Sequence, residues 1–127
     1  MPRFKILIVD DEPDIVETLS FMLQARKFDV VTASSGLEAL AKVKSERPDL
    51  ALLDIMMPGM DGYQTTAAIR KLESCAQIPI IAMTAGAMSG DKEKCLAAGM
   101  SGHLCKPFDR QDMDEAIAKT LALQHAA

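Results

Sequence analysis

Short, almost unbroken apolar runs alternate with longer amphipathic stretches along the whole chain. Runs at Lys5–Val9, Asp29–Ala33, Leu50–Leu53, Ile78–Met83 and His103–Cys105 predict five strands. Several are nearly continuous Ile, Leu and Val, the pattern of strands covered on both faces. The stretches between them predict helices. The first sets Pro13 near N1 behind Asp11 and Glu12, with Ile15, Val16, Leu19, Met22 and Leu23 on one face. The second starts at Ser34 or Ser35 as cap, buries Leu37, Leu40 and Val43, and must end before Pro48. The third follows Asp61 as N-cap and carries Tyr63, Thr66, Ala67 and Ile69. The fourth runs from about Asp91 to Ala98 and stops at Gly99, a natural C′ residue. The fifth begins after Asp109 and presents Met113, Ile117 and Leu121 at helical spacing.

Strands alternating with helices imply an α/β domain: a five-stranded parallel sheet with helices on both faces, joined by right-handed crossovers. Length agrees, since 127 residues suit one domain with a sizeable core. The expectation is a single domain over residues 1–127, its core spanning about 4–123.

In such sheets, ligands sit beyond the carboxyl ends of the strands. The first predicted strand is followed by Asp10, Asp11 and Glu12, the third by Asp54, the fourth by Thr84 and the fifth by Lys106 and Pro107. A parallel sheet brings these scattered residues to one edge. Carboxylates crowded there destabilise the fold unless a cation intervenes, and Lys106 offsets only one charge. A hard divalent ion bound through oxygen suits the rest, and Mg²⁺ fits because it takes one or two carboxylates and welcomes a phosphoryl oxygen. Asp54 is then the natural nucleophile, with Lys106 countering charge and Thr84 donating a hydrogen bond. Each residue alone has an ordinary reading: Asp10 and Asp11 as caps, Asp54 as a turn residue. The coincidence at strand ends carries the functional one.

Composition removes rivals. The net charge is −4, which gives no overall footprint for nucleic acid or an anionic membrane. The apolar run Ile6–Val9 is too short for a secretory core, and nothing approaches a membrane-spanning length. The three cysteines, Cys75, Cys95 and Cys105, show no CxxC spacing and fit a reducing cytoplasm. Buried thiols are expected for Cys95 and Cys105. Neither GxGxxG nor GxxxxGK[ST] occurs, so no dinucleotide or P-loop cradle is encoded.

The segments KILIVDDE (Lys5–Glu12), LLDIMMPGMDG (Leu52–Gly62), IAMTA (Ile81–Ala85) and Lys106–Pro107 closely resemble the receiver domain of two-component response regulators, in order along the chain. The resemblance implies a flavodoxin-like receiver fold with strand order 2-1-3-4-5. It implies that Asp54 is phosphorylated by a histidine kinase or a histidine phosphotransfer protein, in a phosphorelay that ends on a downstream output protein or domain. Asp10 or Asp11, with Asp54 and the backbone carbonyl of Met56, would bind Mg²⁺. Lys106 would hold the phosphoryl group, Thr84 would move toward it, and Pro107 would follow a cis peptide bond. The Gly86–Gly90 loop would close, switching the surface of the fourth helix, fifth strand and fifth helix. Such a domain is a monomer or transient homodimer, and not an enzyme in the ordinary sense.

Two positions depart from the family's usual pattern. His103 stands at the switch position, where Tyr or Phe is common, so its coupling to Thr84 could carry pH sensitivity or be replaced by a plain exposed histidine. Met56 stands where polar residues are frequent, which bears on autodephosphorylation. The segment Ala82–Pro107 is more similar to receivers attached to hybrid sensor kinases, so the chain reads as a stand-alone receiver or a domain of something larger. The rival readings are a phosphorylation-silent interaction module of the same fold, or a Mg²⁺-dependent phosphatase with an aspartyl nucleophile. The latter usually places a second Asp two residues on, where this chain has Met56.

Overall fold

A computed structural model describes residues 4–57, 59–72, 77–84, 91–105 and 108–124. Strands β1 (Lys5–Val9), β2 (Asp29–Ala33), β3 (Leu50–Asp54), β4 (Ile80–Thr84) and β5 (Gly102–Cys105) alternate with helices α1 (Pro13–Ala25), α2 (Gly36–Glu46), α3 (Gly62–Arg70), α4 (Asp91–Ala97) and α5 (Arg110–Gln124). All strand pairs are parallel, and the order is β2-β1-β3-β4-β5, as the resemblance implies.

Alternation within each strand divides the core into two layers. Ile6, Ile8, Leu50, Leu52, Ile81 and Met83 pack with Leu19 and Leu23 of α1 and Met113 and Ile117 of α5. The intervening Leu7, Val9, Ala51, Leu53, Ile80 and Ala82 pack with Ala39 and Val43 of α2, Ile69 of α3 and Cys95 of α4. Strands covered on both sides explain the unbroken apolar runs: β3 and β4 are buried at every position. Burying each large aliphatic chain contributes about 1.5–3 kcal/mol against leaving it in water.

Capping follows the sequence closely. Pro13 sits in the first turn of α1. Ser35 Oγ accepts the Glu38 N–H and so caps α2, while Arg47, in a left-handed conformation, ends that helix before Pro48. Asp61 and Gln64 form a reciprocal capping box at α3. Gly99, at φ +99°, follows α4 where only glycine is unstrained.

Four expectations need correction. Leu37 is 70 % exposed, whereas Ala39 is buried; the inward stripe of α2 runs through Gly36, Ala39 and Val43. In α3 the inward face is Gly62, Thr65, Thr66 and Ile69, and Ala67 is exposed. Both threonines are tolerated inside because their hydroxyls donate to the carbonyls of Asp61 and Gly62, one turn back. Strand β4 starts at Ile80, because Pro79 lacks an N–H and the Ile78 carbonyl accepts from the Arg70 guanidinium instead. Cys105 is half-buried, unlike Cys95. Arg70 also donates to the Gly99 carbonyl, tying α3 to the turn before β5, and its burial lowers its pKa from the ordinary arginine value. Cys75, Pro58 and residues 85–90, where the Gly86–Gly90 loop is expected, lie outside the described residues.

Candidate functional site

Strand direction places the candidate residues. β1 and β3 are adjacent, with Val9 paired to Leu53, so Asp10 and Asp54 leave neighbouring strands at the same edge. Asp10 is 1 % exposed and Asp54 4 % exposed, while Asp11 opens to solvent. One carboxylate oxygen from each of Asp10, Asp11 and Asp54 lies within 4.8 Å of the other two.

Local backbone geometry aims two of these groups. An Asp10 oxygen accepts the Glu12 N–H at 3.0 Å, and an Asp54 oxygen accepts the Met56 N–H at 3.2 Å. Each bond is an Asx-type turn that fixes the carboxyl beside its own chain. The turn after β3 is held by the Gly62 N–H, which donates to Ile55 O at 3.0 Å. Gly62 packs so closely here that a Cβ would sit 2.7 Å from both Asp54 O and Ile55 Cα. The glycine that opens α3 therefore lets that helix press against the strand bearing Asp54.

Three hard oxygen donors with no histidine or cysteine in the group suit a divalent cation of the Mg²⁺ type better than a soft metal. Asp10 and Asp54 could each give one oxygen directly, with Asp11 at the open side. The chain near Met56 runs beside Asp54, and the Met56 side chain itself is 72 % exposed. A cleft of about 370 Å³ lies next to Asp10 and Asp11, between α1 and the start of α2.

Thr84 ends β4, next to β3, and is buried. Its hydroxyl donates to Leu104 O at 3.4 Å and approaches the Cys105 sulfur at 3.5 Å. His103 is exposed on β5. Lys106 and Pro107 lie outside the described residues. Of the remaining positions, the sequence reading missed Gly62 and the contact of Cys105 with Thr84. The second was available from register, because Thr84 and Cys105 are directly paired strand-end residues.

No helix among the described residues is long and apolar enough to cross a membrane. A family model described as the response regulator receiver domain matches residues 6–118. The chain is 38 % identical over 117 residues to the alkaline phosphatase synthesis transcriptional regulatory protein PhoP of Bacillus subtilis, covering 92 % of this chain and 48 % of that protein. It is 37 % identical to the sensor protein GacS of Pseudomonas syringae, covering 97 % of this chain but 14 % of GacS. It therefore spans half the length of the first relative or less. Among solved structures, a receiver domain of a sensor histidine kinase from Pseudomonas aeruginosa superposes with a TM-score of 0.87. That domain is 35 % identical, with 95 % of this chain and 99 % of that one covered, and was solved with magnesium coordinated in its active-site cleft. On sequence and fold together, the chain belongs to the response regulator receiver domains.

Proposed function

We propose that Asp54 accepts a phosphoryl group from a histidine kinase or histidine phosphotransfer protein, and that the resulting charge switches the surface formed by α4, β5 and α5. One observation carries this reading: a buried Asp54 with a carboxylate oxygen within 4.8 Å of those of Asp10 and Asp11. Asp10, Asp11, Asp54 and the Met56 carbonyl would hold Mg²⁺, which when bound supplies positive charge for the incoming phosphoryl oxygens.

The chain's own residues do the rest. Asp54 is poised by its bond to the Met56 N–H, which leaves the carboxyl aimed at the sheet edge. One of its oxygens forms the new P–O bond as the donor's P–N bond breaks, and the electron pair leaves with the imidazole. Lys106 is the next residue after β5 and supplies the fixed positive charge in the family's pattern. Thr84 donates its hydroxyl to the phosphoryl group. A modified Asp54 gains charge comparable to a phosphorylated hydroxyl residue, roughly −1.5 to −2. A group of that charge repays Thr84 for leaving its β5 partners. The exposed Met56 side chain flanks the approach of hydrolytic water and would tune the lifetime of the modification. Cysteines without a disulfide pattern suit the reducing cytoplasm in which such kinases deliver phosphoryl groups.

Incubation with acetyl phosphate and Mg²⁺, followed by intact-mass measurement, tests the proposal. One labile phosphoryl increment that disappears with EDTA is the expected result. No increment in Mg²⁺ would favour the silent interaction module. Multiple-turnover release of phosphate from a panel of phosphate esters would favour the phosphatase.

A further inference from the structure

The Thr84 hydroxyl is held on the far side of β4 from Asp54. Asp54 belongs to β3, one neighbour of β4, whereas the partners of the hydroxyl named above belong to β5, the other neighbour. Thr84 is 2 % exposed, so its hydroxyl cannot exchange these partners for bulk water. Both bonds are weak ones. The 3.4 Å contact to Leu104 O is long for O–H···O, and sulfur is a poor acceptor. Leu104 and Cys105 also line a groove of about 540 Å³ with Leu96 of α4, Phe108, and Ala116 and Lys119 of α5. The residues that hold Thr84 are thus the wall of that groove.

We infer that Cys105 is a positioning residue: its sulfur, a weak acceptor paired in register with Thr84, sets how readily the hydroxyl is released toward a phosphoryl group on Asp54. This rests on the reading of Asp54 as the phosphoacceptor. A stronger acceptor at position 105 holds the hydroxyl on β5 and opposes the switch. Removing the acceptor at 105 loosens that hold, leaving the long bond to the Leu104 carbonyl in place. Because Cys105 also lines the groove, release of Thr84 would bear on the groove wall as well.

The test uses Cys105→Ser and Cys105→Ala, each in the Thr84 and Thr84→Val backgrounds. Two readouts are taken: the χ1 rotamer of Thr84 in the unphosphorylated protein, from NMR scalar couplings, and the rate of phosphorylation by acetyl phosphate with Mg²⁺. Cys105→Ser is expected to narrow the rotamer distribution and slow phosphorylation by about two- to fivefold, the size of one modest hydrogen bond. Cys105→Ala is expected to broaden the distribution and quicken the reaction. Both kinetic effects vanish with Thr84→Val, which a merely structural role for the sulfur would not produce. Shifts of the same sign in both variants, or effects that persist with Thr84→Val, overturn the inference while leaving Asp54 as acceptor. A wild-type protein that takes no phosphoryl group overturns the reading of Asp54, and this inference with it.

Discussion

Asp54→Asn is expected to take up no phosphoryl group and, in EDTA, to unfold at a higher urea concentration than the wild type. Both effects come from the same geometry. Asparagine keeps the shape of the side chain and an oxygen able to accept the Met56 N–H, so the turn after β3 survives. It removes one of three negative charges whose oxygens lie within 4.8 Å of one another. At such separations each repulsion costs about 1 kcal/mol in water and more near a protein, so a gain of about 1–2 kcal/mol is expected without metal. Saturating Mg²⁺ should reverse the order. A ligand at a hundred times its dissociation constant stabilises the folded state by about 2.7 kcal/mol, and the variant, lacking one donor, gains less. Urea melts in EDTA and in Mg²⁺ check this; curves that keep the same order in both would mean the carboxylates do not share a cation.

Gly62→Ala should cost about 3 kcal/mol, at the upper end for overpacking a tight contact. Helix propensity alone gives the opposite sign, since alanine is the better helix former. The clash decides the outcome. The added Cβ would sit 2.7 Å from Asp54 O and Ile55 Cα, backbone atoms of the strand and turn that present the acceptor, and neither can swing aside. Relief therefore requires α3 to back away from β3, which also loosens the Gly62 N–H bond to Ile55 O. Weaker Mg²⁺ binding should accompany the lost stability. Ala41→Gly, at an exposed position of α2, provides the contrast and should cost no more than about 1 kcal/mol. Chemical denaturation of both variants, with Mg²⁺ titration of the first, measures the two effects.

Much of the fold was legible because burial on both faces leaves a plain mark. The apolar runs gave the bounds of β1 and β2 without error, and caps such as Ser35 and Asp61 marked helix starts. The errors have local causes. Leu37 was assigned inward by its hydrophobicity, yet it projects from the first turn of α2 beside the stripe that packs. Thr65 was overlooked because a hydroxyl looks polar until its partner, the Asp61 carbonyl one turn back, is known. Met100 packs in the core beside Cys95 of α4 and the strands it covers. The three carboxylates could be grouped from sequence because parallel topology sends every strand end to one edge. The close approach of Gly62 could not, since the distance between a helix start and a strand is a tertiary quantity. Arg70 reaches across to Gly99 and Ile78, which no spacing in the chain announces.

The central claim is that one particular carboxylate, rather than its two neighbours within 4.8 Å, carries the phosphoryl group. Borohydride reduction converts an acyl phosphate of aspartate to homoserine, which stays in the peptide and can be sequenced by mass spectrometry. After treatment with acetyl phosphate and Mg²⁺, the account predicts homoserine at position 54 and unchanged aspartate at positions 10 and 11. Homoserine at 10 or 11, or none in the chain, would contradict it.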